Sequence, residues 1–189
     1  MNQVLTWLSR GDLRSDGMAD EVAHFILDNP GAFEDLYAGL TEADEVVRGR
    51  AADEIEKVSR SRPDLLVDHL PEIESLARKE QVPLVKMHLA MIFGHLAVYP
   101  ELIEQLKPPL IDFLDDDSVF TRSWTIVSLC IIARKYPQEC QGVIELLVPL
   151  LADGSIAIRS RVKKAINLLT DPTEQFPKGW IKSEHLLEI

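Results

Sequence analysis

Residues 135–143 read KYPQECQGV, which sets a proline, Pro137, inside a stretch that otherwise has the composition of a helix. The same event occurs at DNPGAF (28–33), SRPDLL (61–66), VYPELI (98–103) and TDPTEQ (170–175). The prolines are Pro30, Pro63, Pro100, Pro137 and Pro172, separated by 33, 37, 37 and 35 residues. A proline disfavours α geometry in the residue before it, so helices should end near Asn29, Arg62, Tyr99, Tyr136 and Asp171. Its fixed φ also suits the first turn of a following helix. The chain is therefore expected to turn a corner about every 37 residues.

A second periodicity runs between the corners. Arg48, Lys86, Arg122 and Arg159 are spaced by 38, 36 and 37. One residue before each stands Val47, Val85, Thr121 or Ile158, and three after stands Ala51, Leu89, Thr125 or Val162. Seven after come Ile55, Phe93, Leu129 and Ile166, and ten after come Val58, Leu96, Ile132 and Leu169. Positions −1, +3, +7 and +10 make one face of an α-helix. Acid-bearing turns (TEADE, RKEQ, DDDS, ADGS) precede these helices, and further apolar stretches precede the turns. Three of those stretches carry internal prolines, at Pro71, Pro108 with Pro109, and Pro149, where a bend is expected.

Each unit thus reads as helix A, polar turn, helix B and proline corner. Such a unit cannot bury both apolar faces alone, and stacking supplies the missing partner. Four units at roughly 10 Å per packed helix give a stack on the order of 40 Å long. The predicted fold is all-α, a right-handed α-α superhelix of about four to five helix pairs forming one domain over 1–189. Residues 1–29 would be N-terminal capping helices, with Ser15 or Asp16 as an N-cap. Residues 30–171 would be four repeats and 172–189 a C-terminal cap or tail. In that tail Ser183 is expected to cap a short helix. Covering the exposed core of the last repeat is favoured over docking a partner.

This pattern resembles the HEAT repeat, with paired helices, a proline in helix A, an aspartate in the turn and a Val-Arg pair opening helix B. The matching residues are Pro71, Pro108 and Pro149; Asp44, Asp117 and Asp153; and Val47-Arg48, Val85-Lys86, Thr121-Arg122 and Ile158-Arg159. The likeness spans about residues 18–171 and departs from the pattern at Thr121, at Lys86 and at RKEQ, which lacks the aspartate. It implies a polar ladder joining repeats, built from Arg48, Lys86, Arg122 and Arg159 with Asp117 and Asp153. A basic stripe for an acidic ligand is the rival use of those cations. The resemblance also implies a concave surface lined by helix B.

Positions two after each marker leave the apolar face: Arg50, His88, Trp124 and Arg161. The stripe continues through Asp53, Lys57, Met91, His95, Val127, Ile131, Lys164 and Leu168. Its middle is apolar and aromatic and its ends are charged. Trp and Arg are enriched at binding hot spots. Arg50, His88, Met91, His95, Trp124, Ile131, Arg161 and Lys164 are therefore the candidate partner-binding residues, for a helix or peptide. Packing of Trp124 and Ile131 into neighbouring helices accounts for them equally well.

Other chemistry is poorly supported. His88 and His95 lie about 10.5 Å apart along one helix, too far to share a metal, and neither has an acid on the same face of that helix. No metal or other cofactor is expected. Some HEAT-like proteins are DNA glycosylases with a groove Trp and a catalytic Asp, but one turn after Trp124 stands Ser128. Phycobilin lyases share such repeats, and nothing here identifies their chemistry. Net charge is −11, against general nucleic-acid binding, which needs cations along the groove. The charge is uneven, with 13 acids and 7 bases in residues 1–62 but four of each in 137–171. No run approaches the roughly 18 apolar residues of a membrane span, and the first residues do not read as a signal peptide. Cys130 and Cys140 fit no zinc spacing. The expectation is a cytoplasmic, non-enzymatic adaptor or scaffold for a protein or peptide. A HEAT-like enzyme, or a regulatory subunit of a larger complex, is the alternative.

Overall fold

The computed structural model describes residues 3–9 and 19–189, so the proposed caps Ser15 and Asp16 lie outside the described residues. Ten α-helices follow one another with no strand among the described residues: α1 (Gln3–Leu8), α2 (Ala19–Asp28), α3 (Phe33–Tyr37), α4 (Glu45–Ser59), α5 (Leu70–Lys79), α6 (Pro83–His95), α7 (Ile103–Phe113), α8 (Val119–Lys135), α9 (Cys140–Leu147) and α10 (Ile156–Thr170). The even-numbered helices are the predicted helices B, stacked α2 on α4, α4 on α6, α6 on α8 and α8 on α10. The fold is an all-helical solenoid of stacked pairs.

The corners form as the prolines dictate. Pro30, Pro63, Pro100 and Pro137 each open a short 3₁₀ turn. The preceding residues Asn29, Arg62, Tyr99, Tyr136 and Asp171 all leave helical geometry, with ψ between 59° and 107°. Pro172 has no helix after it and releases the chain into the tail. The prolines of helix A behave less uniformly. Only Pro108 and Pro109 lie inside a helix. Pro71 sits in the first turn of α5, where its missing N–H costs nothing. Pro149 falls in a 3₁₀ segment, Val148–Ala152, that finishes helix A of the last unit.

The −1, +3 and +10 positions are buried in every unit, and one apolar cluster runs the length of the stack. Its tightest contact lies between α6 and α8. A Cβ on Gly94 would come within 2.5 Å of Ser128 Oγ and 3.3 Å of its Cα, so only glycine permits this approach. The Ser128 hydroxyl donates to the Ala90 carbonyl at 2.7 Å.

The polar ladder exists, in a slightly different register from the one the resemblance implied. Arg48 Nε pairs with Glu80 at 3.1 Å, Lys86 Nζ with Asp116 at 2.7 Å, and Arg122 with Asp153. Asp117 is exposed and outside the ladder; Asp116 takes the place expected of it. Glu80 takes the place of the aspartate that RKEQ lacks. Each acid also accepts from backbone two residues on: Glu80 from the Val82 N–H, Asp116 from Ser118 and Asp153 from Ser155. One carboxylate therefore ties a turn, a helix start and the preceding repeat together. Arg159 has no next repeat and donates to the carbonyls of Asp153 and Gly154 in its own turn. Arg48 does the same to Glu42 and Ala43 while reaching Glu80.

Candidate functional site

Of the positions two residues after each marker, His88, Trp124 and Arg161 line one face of the helix B stack, and something already lies on it. Residues 172–189 leave α10 and run back across α8 and past α6 to the end of α4. The Glu174 carbonyl accepts from Arg134 Nη1 on α8 at 3.1 Å. The guanidinium of Arg134 stands 6.0 Å from the Phe176 ring. A turn follows, closed by the Trp180 N–H to the Pro177 carbonyl at 3.1 Å. Gly179 at its third position has φ of 84°, open to glycine at no steric cost. The turn drives Trp180 into the core, 7% exposed.

Arg161 lies 5.3 Å from the Trp180 ring centre and 5.9 Å from that of Trp124. Lys182 approaches the Trp124 ring at 5.5 Å. Cations and aromatic rings thus alternate across the middle of the groove. Such pairs are worth about 0.5–2 kcal/mol each, more as they are desolvated. Burial pulls the Arg161 guanidinium below its ordinary pKa. Beyond Lys182 the tail meets the frayed end of α4, where carbonyls lack helical partners. The Glu184 N–H and the Ser183 hydroxyl both donate to the Arg60 carbonyl, at 3.0 and 3.1 Å. The Ser61 hydroxyl donates to Glu184, and His185 Nε2 lies 2.8 Å from the Ser61 carbonyl. Ser183 caps a 3₁₀ turn, Glu184–Leu186, as its sequence suggested. The tail does far more than cover the last repeat, the role favoured for it from sequence.

Under the strap lies a polar cluster. On α4 stand Asp53, Glu54, Glu56, Lys57, Ser59 and Arg60; His88 and His95 face them from α6. Glu54 and Glu56 are fully buried. Lys57 bridges Asp53 and Glu54 at 3.0 and 2.8 Å. Arg60 Nε donates to Glu56 at 3.0 Å. Glu54 also accepts the Ala23 N–H, stitching α2 to α4. His95 Nδ1 lies 2.7 Å from the Ser59 hydroxyl, and its Nε2 3.6 Å from Glu56. His88 Nε2 is 3.6 Å from Asp53, while its buried Nδ1 has no hydrogen-bond partner. Burial pushes Glu54 up to about 7 despite Lys57, and raises Glu56. Burial holds His95 down to about 3 and His88 to about 4, with Arg60 and Lys182 adding to the depression.

Five of the eight expected contact residues are covered or engaged elsewhere. His88, Met91, His95 and Ile131 are 6%, 5%, 3% and 3% exposed, so a partner meets them only if the cover moves. Arg50 does not line the groove, since its guanidinium donates to the Leu8 carbonyl and caps α1. Trp124 and Arg161 are half-buried beneath the tail, and Lys164 is exposed. The sequence argument placed no acid on the histidines' own helix. It missed that the neighbouring helix B supplies Asp53 and Glu56, whose carboxylates and His88 offer ligand atoms within 4.8 Å of one another. A common helical phase, with Asp53 and Met91 both five after their markers, was the signal for that meeting. Lys57 pairs with Asp53 and Glu54 of this cluster, and Arg60 with Glu56.

Comparison with known proteins defines a class. No family model matches the chain, and no curated protein matches it. Solved structures do. Computationally designed armadillo repeat proteins for modular peptide recognition match with a TM-score of 0.62 and 20% identity, over 89% of this chain and 81% of theirs. An engineered protein from the Northeast Structural Genomics Consortium matches with a TM-score of 0.60 and 17% identity, over 89% of this chain and 78% of its own. Another engineered protein from that consortium gives 0.60 and 18%, over 90% and 47%. At these identities the likeness is one of fold, and the class is the helical-repeat solenoid. Among the described residues no helix is long and apolar enough to cross a membrane.

Proposed function

We propose that this chain is a non-enzymatic interaction scaffold of the HEAT-like kind, binding a protein or peptide partner along its helix B face in the cytoplasm. The observation that carries the reading is the tail itself: an irregular segment lies along this face, held by aromatic, cationic and main-chain contacts. A surface built to seat one extended segment has the means to seat another. The designed armadillo relatives in fold are peptide-recognition proteins by description, in line with this use.

Enzymatic readings find less support. The position where a glycosylase-like groove needs an aspartate holds Ser128, which is buried in the α6–α8 contact. Three cations near the groove are already engaged: Arg60 by Glu56, Lys57 by Asp53 and Glu54, Arg134 by the Leu168 and Glu174 carbonyls. That leaves little for a phosphate backbone. The two thiols, Cys130 and Cys140, are free, which suits a reducing compartment.

The test is affinity capture from native lysate with wild type and a Trp124→Ala variant shown by circular dichroism to fold. A partner held at fixed stoichiometry by wild type and lost by the variant is expected. A partner held equally by both would move the site off this face. Retention on heparin at moderate salt, falling steeply as salt rises, would favour a nucleic-acid enzyme instead.

A further inference from the structure

The tail is a sample of what the groove recognises. Its contacts name the chemistry position by position. An aromatic ring enters beside Arg161, at Trp180. Two residues later a lysine lies on the Trp124 ring, where its charge acts on the Glu56 carboxylate. The next residue brings a hydroxyl, and the one after it a main-chain N–H, to the Arg60 carbonyl. The cluster itself explains the lysine. Three carboxylates on α4 face two cations of the same helix, Lys57 and Arg60. Each carboxylate has a partner there already, so a further ammonium on the occupant is attracted to a site with one acid in excess, and an acidic residue in its place meets like charge. Packing alone gives no reason for such a floor, because well-packed apolar residues under a purely structural strap are as stabilising or more so.

The strap's hold is uneven, with Trp180, Ser183 and Leu186 buried and its link to α10 exposed. Apart from one 3₁₀ turn, residues 172–189 have no helix of their own. Residues 171–175, which connect it to α10, are exposed. Residues 183–185 are held at α4 by bonds to two residues, Arg60 and Ser61.

We propose that the groove between Trp124, Arg161 and the Asp53–Glu56 cluster binds an extended segment of another protein, with an aromatic residue two positions before a lysine, and that residues 176–187 hold this site until displaced. This rests on the scaffold reading above and specifies its ligand. A tethered competitor lowers apparent affinity by the fraction of time it occupies the site, so weakening the tether's own grip must strengthen binding from solution.

The probe is a fluorescein-labelled peptide copying residues 174–189, titrated into the full chain and read by anisotropy. The substitution Lys182→Glu in the chain changes no groove residue, leaves the Trp180 anchor in the core and weakens the occupant's hold on Trp124. The variant should bind the peptide at least about tenfold tighter than wild type does. Changing the peptide's own lysine to glutamate should lose at least about tenfold. In parallel, saturating peptide should speed hydrogen exchange at the wild-type Glu184 amide, a measurement independent of whether the variant folds. Equal affinities for wild type and a folded variant, indifference to the peptide's charge, or a Glu184 amide that stays protected under saturation would each overturn the proposal. So would a tail-exchanged dimer in sedimentation, which would make the occupant a second copy of this chain. None of these results touches the Trp124→Ala capture, so a partner lost there would keep the scaffold reading while this ligand chemistry fell.

Discussion

His95 sits with one nitrogen against the Ser59 hydroxyl and the other facing Glu56, in a site closed by Arg60 and Lys182. Burial comes first in holding it down to about 3, and burial likewise holds His88 to about 4 against the pull of Asp53. In the unfolded chain both titrate near about 6.5. Between that value and about 4 the unfolded state takes up protons that the folded state refuses, so their contribution is full above about 6.5 and is lost as pH falls. Glu54 runs the other way. Its folded value of about 7 lies above its unfolded one, so the folded state binds the extra proton and Glu54 favours folding more as pH drops to about 4.5. The two effects oppose each other from about 6.5 to 4.5, and below that the histidine loss has no counterweight. The expected outcome concerns the difference between two proteins. His95→Gln, whose amide can still meet Ser59, should gain stability relative to wild type as pH falls from about 6.5 to 4 in urea titrations. A constant difference across that range would mean that His95 is charged in the fold.

At the scale of the element, the ladder is the device that sets one repeat on the next. Its cations were legible, because Arg48, Lys86, Arg122 and Arg159 share one helical phase, each one residue after a buried position, Val47, Val85, Thr121 or Ile158. The acids were only half legible. DDDS offers three aspartates, and composition cannot say which one turns inward. The helix cap decides it. Ser118 and Ser155 cap α8 and α10, and the ladder acid stands two residues before each, at Asp116 and Asp153. Glu80 holds that place before Val82. A reading anchored on the caps rather than on the repeat consensus reaches all three. The Arg122 pair is the one to measure: both side chains are nearly covered, and Arg122 Nε has no partner of its own. Arg122→Ala should lower the urea midpoint, because Asp153 loses its partner on the preceding repeat. In a double-mutant cycle with Asp153→Ala, most of that loss should appear as coupling, and Arg122→Lys should recover only part of it. Additive single losses would make the ladder a coincidence of spacing.

Over the whole molecule the tail changes what kind of solenoid this is. Stacked repeats normally touch only their neighbours, so ends fray and units unfold piecemeal. Here residues 183–185 bond to residues 60 and 61, some 123 positions earlier, and join the last unit to the first full one. Sequence could count the units but could not foresee this closure. The contact pairs an irregular segment with a helix end, and neither has a periodicity to read. While the helices are folded, the strap closes over a rigid span. If an intermediate repeat of about 37 residues opens, the same contact must close across a flexible segment of that length, which costs about 3 kcal/mol more by loop entropy alone. The strap therefore penalises partly folded states and makes the stack unfold as one. Trp180→Ala removes its anchor and should cost about 3–5 kcal/mol, the usual range for a buried Trp. It should also lower the urea m-value, because α10 would unfold before α4. Hydrogen exchange is the check. In wild type the amides of α4 and α10 should open with a common free energy, and in the variant α10 should open first. If both proteins keep one shared transition, the strap is packing without coupling, and nearest-neighbour contacts alone make the stack cooperative.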